Sequence, residues 1–103
     1  MPLPMLDAAL GSPSRVRLLR VLALASSELS GREAGRQAGV AHRAAVRALA
    51  QLVQSGVVRV TPGATAHAYA MAPQHPLTKR LRRLFEREAE HASTRRATSA
   101  RRR

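Results

Sequence analysis

The stretch from His42 to Gln54, HRAAVRALAQLVQ, decides how the rest of this chain is read. At about 3.6 residues per turn it sorts into a polar stripe of Arg43, Arg47, Gln51 and Gln54 and an apolar side of Val46, Leu49, Leu52 and Val53. One side of such a helix is built for a core and the other for something outside it. Just before it, Gly39 closes a short helical stretch with a turn. Just after it, Gly56 ends the helix, and Val57, Val58 and Val60 change the period from that of a helix to that of a strand. The order is helix, turn, helix, hairpin.

Working upstream, Ser12 followed by Pro13 marks a helix start, the hydroxyl as cap and the proline where a missing N–H costs nothing. This first helix is expected from about Pro13 to Ala25. Val16, Leu18, Leu19, Val21, Leu22, Ala23 and Leu24 cover more of its circumference than one core face needs, so it is either central in its domain or shared with a second subunit. Ser30 with Glu33 three residues on reads as a capping box, opening the short helix GREAGRQA that Gly39 ends. Gly35 in that helix allows the next one to approach closely.

Downstream, Thr61-Pro62-Gly63-Ala64 reads as a turn, and Thr65 to Ala72 as a return strand with His67, Tyr69 and Met71 alternating against alanines. After Pro73 and Pro76 a last helix carries Leu77, Leu81, Leu84, Phe85 and Ala89 on one side. From about Thr94 the chain becomes TRRATSARRR, too polar and charged to fold by itself. The expected organisation is therefore a domain over residues 1–93 and a disordered Arg-rich tail over 94–103. Its expected fold class is mainly α with a small β-hairpin, a winged helix-turn-helix with a C-terminal helix.

Charge points to the partner. Eighteen Lys and Arg against 6 Asp and Glu leave +12 on 103 residues, enough to attract a polyanion through solvent. Helix, turn, helix and wing in that order, with a polar stripe on the second helix of the pair, imply double-stranded DNA read in the major groove. A membrane surface is a poorer fit, since the chain has no Trp and a single Phe to anchor in lipid. With no cysteine there is no disulfide, thiolate metal site or thiol switch. MPLPMLDAAL has no basic leader region or long apolar stretch, so the expected location is cytoplasmic, associated with the nucleoid.

Four stretches carry a family resemblance. ALGSPSRVRLLRVL, ELSGREAGRQAGV, VRALAQLVQSGVVRV and AYAMAPQHPLTKRLRRLF are similar to the opening helix, the capped second helix and turn, the recognition helix with first wing strand, and the return strand with closing helix of ArsR-like winged helix-turn-helix transcriptional regulators. The resemblance spans about Leu6 to Arg87. It implies a homodimer, two recognition helices in successive major grooves, and repression as the common outcome. The sequence departs from that pattern at Ala41, where relatives usually carry a Ser or Thr cap, at Ala45, where many have a larger aliphatic, and at Ala48, where many have an acid. The wing tip TPGATAH also lacks a cation.

The candidate residues follow. Arg43 and Arg47 are first for base contact, because a guanidinium pairs bidentately with guanine O6 and N7 and discriminates by ~1–3 kcal/mol. His42 and Gln51 flank them on the same helix. Arg15, Arg17, Arg32, Arg36 and Arg59 are candidates for phosphate, which fixes register without reading sequence. In the tail, Arg95, Arg96, Arg101, Arg102 and Arg103 can follow a phosphate track, adding affinity and salt dependence. Leu18, Leu22, Leu77, Leu81, Leu84 and Phe85, on the first and last helices, are the expected dimer interface.

His42, His67, His75 and His91 are dispersed, with no thiolate beside them, so no metal, cofactor or small-molecule ligand is implied; His75, in its Pro-x-His-Pro setting, reads as a structural hydrogen-bonding residue. There is no P-loop, no nucleophile with a nearby base and no paired carboxylates, which points away from an enzyme. The main expectation is a dimeric, sequence-specific transcriptional regulator, a repressor or autoregulator. The alternatives are an architectural DNA binder without sequence preference and a winged-helix module that holds a protein partner.

Overall fold

Ser12 starts the first helix, α1 (Pro13–Leu24), in an extended backbone conformation, with its Oγ accepting from the Arg15 amide at 3.2 Å. The computed structural model describes residues 10–101, and side chains as far as Thr94. A two-residue strand, β1 (Leu29–Ser30), leads into α2 (Gly31–Ala38), where the Ser30 hydroxyl accepts from the Glu33 amide at 3.1 Å. That is half of the expected capping box. The other half is absent, because the Glu33 carboxylate turns to the guanidinium of Arg36 and the side-chain amide of Gln37.

Gly39 ends α2 at φ +68°, a left-handed conformation that an L side chain rarely adopts, and its amide donates to the Arg36 carbonyl while that of Val40 donates to the Gly35 carbonyl. After this turn α3 spans His42–Ser55 and the hairpin follows as β2 (Val58–Thr61) and β3 (Ala68–Met71). The sheet is antiparallel in the order β1-β3-β2, with Tyr69 between Leu29 and Val60. The return strand is shorter than expected, and His67 lies outside it. At the junction that follows, the His75 ring Nδ1 accepts from the Leu77 amide at 3.1 Å and the Thr78 hydroxyl donates to the Ala72 carbonyl, so His75 is the structural residue the sequence implied.

The last helix, α4, runs Thr78–Arg101, 24 residues or about 36 Å. It does not stop near Thr94, where the sequence suggested a disordered tail. The physical reason is local: Arg and Ala favour helix, and residues 94–101 contain neither Gly nor Pro to end one already under way. Residues 102 and 103 lie outside the described part.

The packing makes this a winged helix-turn-helix. α1 is its centre, touching α2, α3, β3 and α4; Leu18, Leu19, Leu22 and Ala23 are its core residues, while Val16 and Val21 are half-buried and Leu24 is exposed. Leu18, Leu19, Leu22 and Ala23 meet Leu49, Leu52, Val57, Val58, Met71, Leu77, Leu81 and Phe85 in one cluster. Against α1, α4 runs antiparallel: Arg82 Nε donates to the Ala23 carbonyl at 3.2 Å, while Arg20 donates to Glu88 at 2.6 and 3.1 Å and lies 5.4 Å from the Phe85 ring centre. A surface ion pair adds little stability, and its guanidinium over the ring contributes roughly another 0.5–1 kcal/mol.

The expectation for α3 needs one correction. Its buried residues are Ala45, Ala48, Leu49 and Leu52, Val53 is half-buried, and Val46 is 50% exposed. The reason lies in α2. A Cβ at Gly35 would stand only 3.0 Å from the Ala45 Cβ, so the two helices are close enough that alanine fills the core position and the buried arc is centred away from Val46. Chemical denaturation separates the two valine placements. Leu52→Ala, at a fully buried site, is expected to lose about 2–5 kcal/mol, whereas Val46→Ala should change stability by less than about 0.5 kcal/mol.

Candidate nucleic-acid interface

On α3, the exposed face begins with His42, Arg43, Ala44, Val46 and Arg47 and continues through Ala50, Gln51 and Gln54. No acidic residue occurs on this helix. Arg43 and Arg47 therefore extend from one face, one turn apart, with no carboxylate on their own helix to neutralise them. Ala41 precedes them without a capping side chain, and the first intrahelical bond runs from the Ala45 amide to the Ala41 carbonyl at 2.8 Å. The amides of His42, Arg43 and Ala44 point out of the start of the helix toward the same side. Charge and dipole agree in sign there.

Gln51 is differently placed. Its side-chain Oε1 accepts from Arg15 Nε at 3.0 Å, which ties the second half of α3 to the start of α1. These two residues line a small cleft of about 280 Å³ with Gln54 and Ser55. Thus Arg15 reaches α3 itself, while Arg17 is exposed on α1.

Between α2 and the hairpin, an open cleft of about 420 Å³ is lined by Arg32, His42, His67, Tyr69, Ser30 and Thr65, among others. His67 is the residue the sequence did not single out. The signal was present, since a hairpin leaving α3 brings its return strand back past the start of that helix, but the placing of His67 and His42 around one cleft is a tertiary fact. Arg36 is exposed and engaged by Glu33 within its own helix. Arg59, by contrast, faces another cleft, with Arg82, Glu28 and the end of α1, apart from the His42 side. The structure therefore gathers Arg32, His42, Arg43 and Arg47 around the start of α3, adds His67, and sets Arg59 elsewhere.

Of the six residues expected at a dimer interface, Leu18, Leu22, Leu77, Leu81 and Phe85 are buried inside the protomer. Their apolar periodicity is explained by the core of a single chain. Leu84 differs, at 56% exposed, and Leu24 on α1 and Leu10 before it are also exposed. The side chains of Arg95, Arg96 and Arg101, and all of Arg102 and Arg103, lie outside the described residues. Among the described residues, no helix is long and apolar enough to cross a membrane.

No protein-family model matches the chain, and no curated protein does. Among solved structures, it is similar to the solution structure of a homodimeric winged helix-turn-helix DNA-binding domain from Mycobacterium bovis, described as a possible ArsR-family transcriptional regulator. The TM-score is 0.61 with 22% identity, over 87% of this chain and 77% of that one.

Glu33 is the one carboxylate on the helix pair, and its electrostatics can be tested. The hydrogen bond from Arg36, and after it that from Gln37, hold its carboxyl at about 2 instead of the usual 4.5, and the same partner raises Arg36. A carboxyl whose folded pKa lies below its unfolded value stabilises the fold above about pH 4.5, and that contribution disappears as the pH falls from 4.5 toward 2. Glu33→Gln should therefore unfold at slightly lower urea than the parent at pH 7, the gap closing over that acid window. A gap that stayed constant with pH would mean the ion pair contributes nothing in solution.

Proposed function

We propose that this protein is a sequence-specific double-stranded-DNA-binding transcriptional regulator, a dimeric repressor or autoregulator that reads the major groove with α3. The observation that carries this is the outward face of α3 itself. Two arginines one turn apart, with no acid on their helix, stand at the start of the second helix of a helix-turn-helix pair. In such pairs the first turns of the second helix meet base edges. Arg43 and Arg47 are assigned to bases, Arg32 and His42 to the flanking backbone, and Arg15, Arg17 and Arg36 to phosphates nearby. Gln51 acts through Arg15 rather than by bonding a base. Arg59 contributes field rather than contact, and Arg95, Arg96, Arg101, Arg102 and Arg103 supply salt-sensitive affinity.

Homodimerisation through α1 and α4 belongs to the same proposal. It is supported by the exposed Leu24 and Leu84 on those two helices and by the homodimeric state of the similar domain. Two copies would repeat α3 about 34–36 Å apart, one turn of duplex. The change Leu84→Glu puts a charge on this surface without touching the core, so sedimentation should show a shift from dimer to monomer with an unchanged circular-dichroism spectrum.

The cation-poor hairpin tip favours a second reading, a binder of DNA in general, and one experiment decides between them. Fluorescence anisotropy is measured against salt on two duplexes, one from upstream of the gene and one scrambled. The regulator reading expects preference for the upstream duplex at physiological salt, with Arg43→Ala and Arg47→Ala each reducing that preference by about 5- to 150-fold while leaving most of the non-specific affinity. Equal binding to both duplexes with a steep salt slope would replace it with the general binder.

A further inference from the structure

We propose that Val46 is a specificity-determining residue of α3, a reader of the 5-methyl group of thymine in the major groove, seated between the bases taken by Arg43 and Arg47. This inference rests on α3 being the recognition helix, and goes further by naming a base and the residue that selects it.

Three observations converge on this residue. Val46 is a large apolar side chain left 50% exposed in the first half of α3, while the core positions of that helix are filled by Ala45, Ala48, Leu49 and Leu52. Helix propensity does not account for it either, because a β-branched residue on a solvated helix surface is less favourable than the Ala or Arg around it. Its neighbours then say what it faces. At about 100° per residue, Val46, Ala50, Arg43 and Arg47 fall in that order within an arc of about 100°, so a small apolar patch has two guanidiniums along one side, and the helix carries no carboxylate. A membrane or an apolar protein groove would have to accept both arginines. A DNA groove requires them.

The chemistry of the groove supplies the occupant. Among the groups that base pairs present in the major groove, hydrogen-bond donors and acceptors predominate, and the apolar one is the thymine methyl. Valine suits it because its χ1 is nearly fixed in a helix, so its two methyls are held in one direction and little rotamer freedom is lost on contact. The spacing is also consistent. Arg43 and Val46 are separated by about 4.5 Å along the helix axis, between one and two base-pair steps of about 3.4 Å. A guanine met by Arg43 would thus have the thymine one or two steps away.

The test uses the full chain and a duplex selected by it from a random-sequence pool. Each thymine of the selected site is then replaced singly by uracil, which removes the methyl and leaves the hydrogen-bonding edge unchanged. The expected result is one thymine in each half-site where the loss weakens binding about 4-fold, the effect of one buried carbon, and where Val46→Ala abolishes that uracil penalty. A uracil scan that is flat within about 2-fold, or a penalty equally large in Val46→Ala, overturns the assignment to Val46. Arg43→Ala is the control for the parent reading: if it loses site preference while the uracil scan is flat, α3 reads DNA without Val46. If no sequence is enriched from the pool, the recognition-helix reading fails and this inference fails with it.

Discussion

The arrangement depends on the close approach of α2 and α3 at Gly35. With a Cβ on that residue at only 3.0 Å from Ala45 and 3.3 Å from the Val40 carbonyl, the two helices would have to separate. Their proximity decides which way α3 is turned about its own axis. Small residues at Ala45 and Ala48 sink against α2 and α1, Leu49 and Leu52 anchor the deeper core, and the remaining arc of Arg43, Val46, Arg47 and Ala50 is turned outward. A larger residue at position 45 would push α3 away and rotate this face. The outward chemistry of the helix is thus fixed by what its inner side lacks.

Around that axis the charge is distributed unevenly. Positive groups crowd the start of α3 and the exposed side of α4, while three of the acids are held in contacts: Glu33 with Arg36, Glu88 with Arg20, and Glu28 accepting from the Thr61 hydroxyl at 2.8 Å. The hairpin tip is left nearly neutral. In many winged domains the wing is a second hand on the ligand. Here the weight of the positive field moves to the two helices, and with it the distance over which a polyanion feels an orientation.

Most of the architecture could be read from the sequence because its signals are local. Ser12 with Pro13, Ser30, Gly39 and Gly56 mark helix boundaries by chemistry within three or four residues, and the switch of period after Gly56 marks the hairpin. What could not be read required neighbours far along the chain. Val46 is apolar at helical spacing from other apolar residues and is indistinguishable from core until Gly35 is seen to bring α2 against Ala45. The leucines of α1 and α4 match an interface pattern as well as a core pattern, and only the packing of the two helices on each other assigns five of the six residues to the core. The pairing of Gln51 with Arg15, 36 residues apart, and the placing of His42 and His67 around one cleft are products of tertiary geometry with no local mark. Arg59 was one strand-register choice away from the other side of the sheet.

The uncapped start of α3 bears on the cost of binding. A first turn without a capping side chain at Ala41 frays more readily than the turns behind it, which are anchored by the buried Leu49 and Leu52. Its amide protons exchange sooner than those of the deeper turns. The amides at this leading edge are those that an acceptor from outside would satisfy in place of the missing cap. Any entropy lost in ordering that turn would be the same whichever acceptor arrives, so it would lower affinity without altering selectivity.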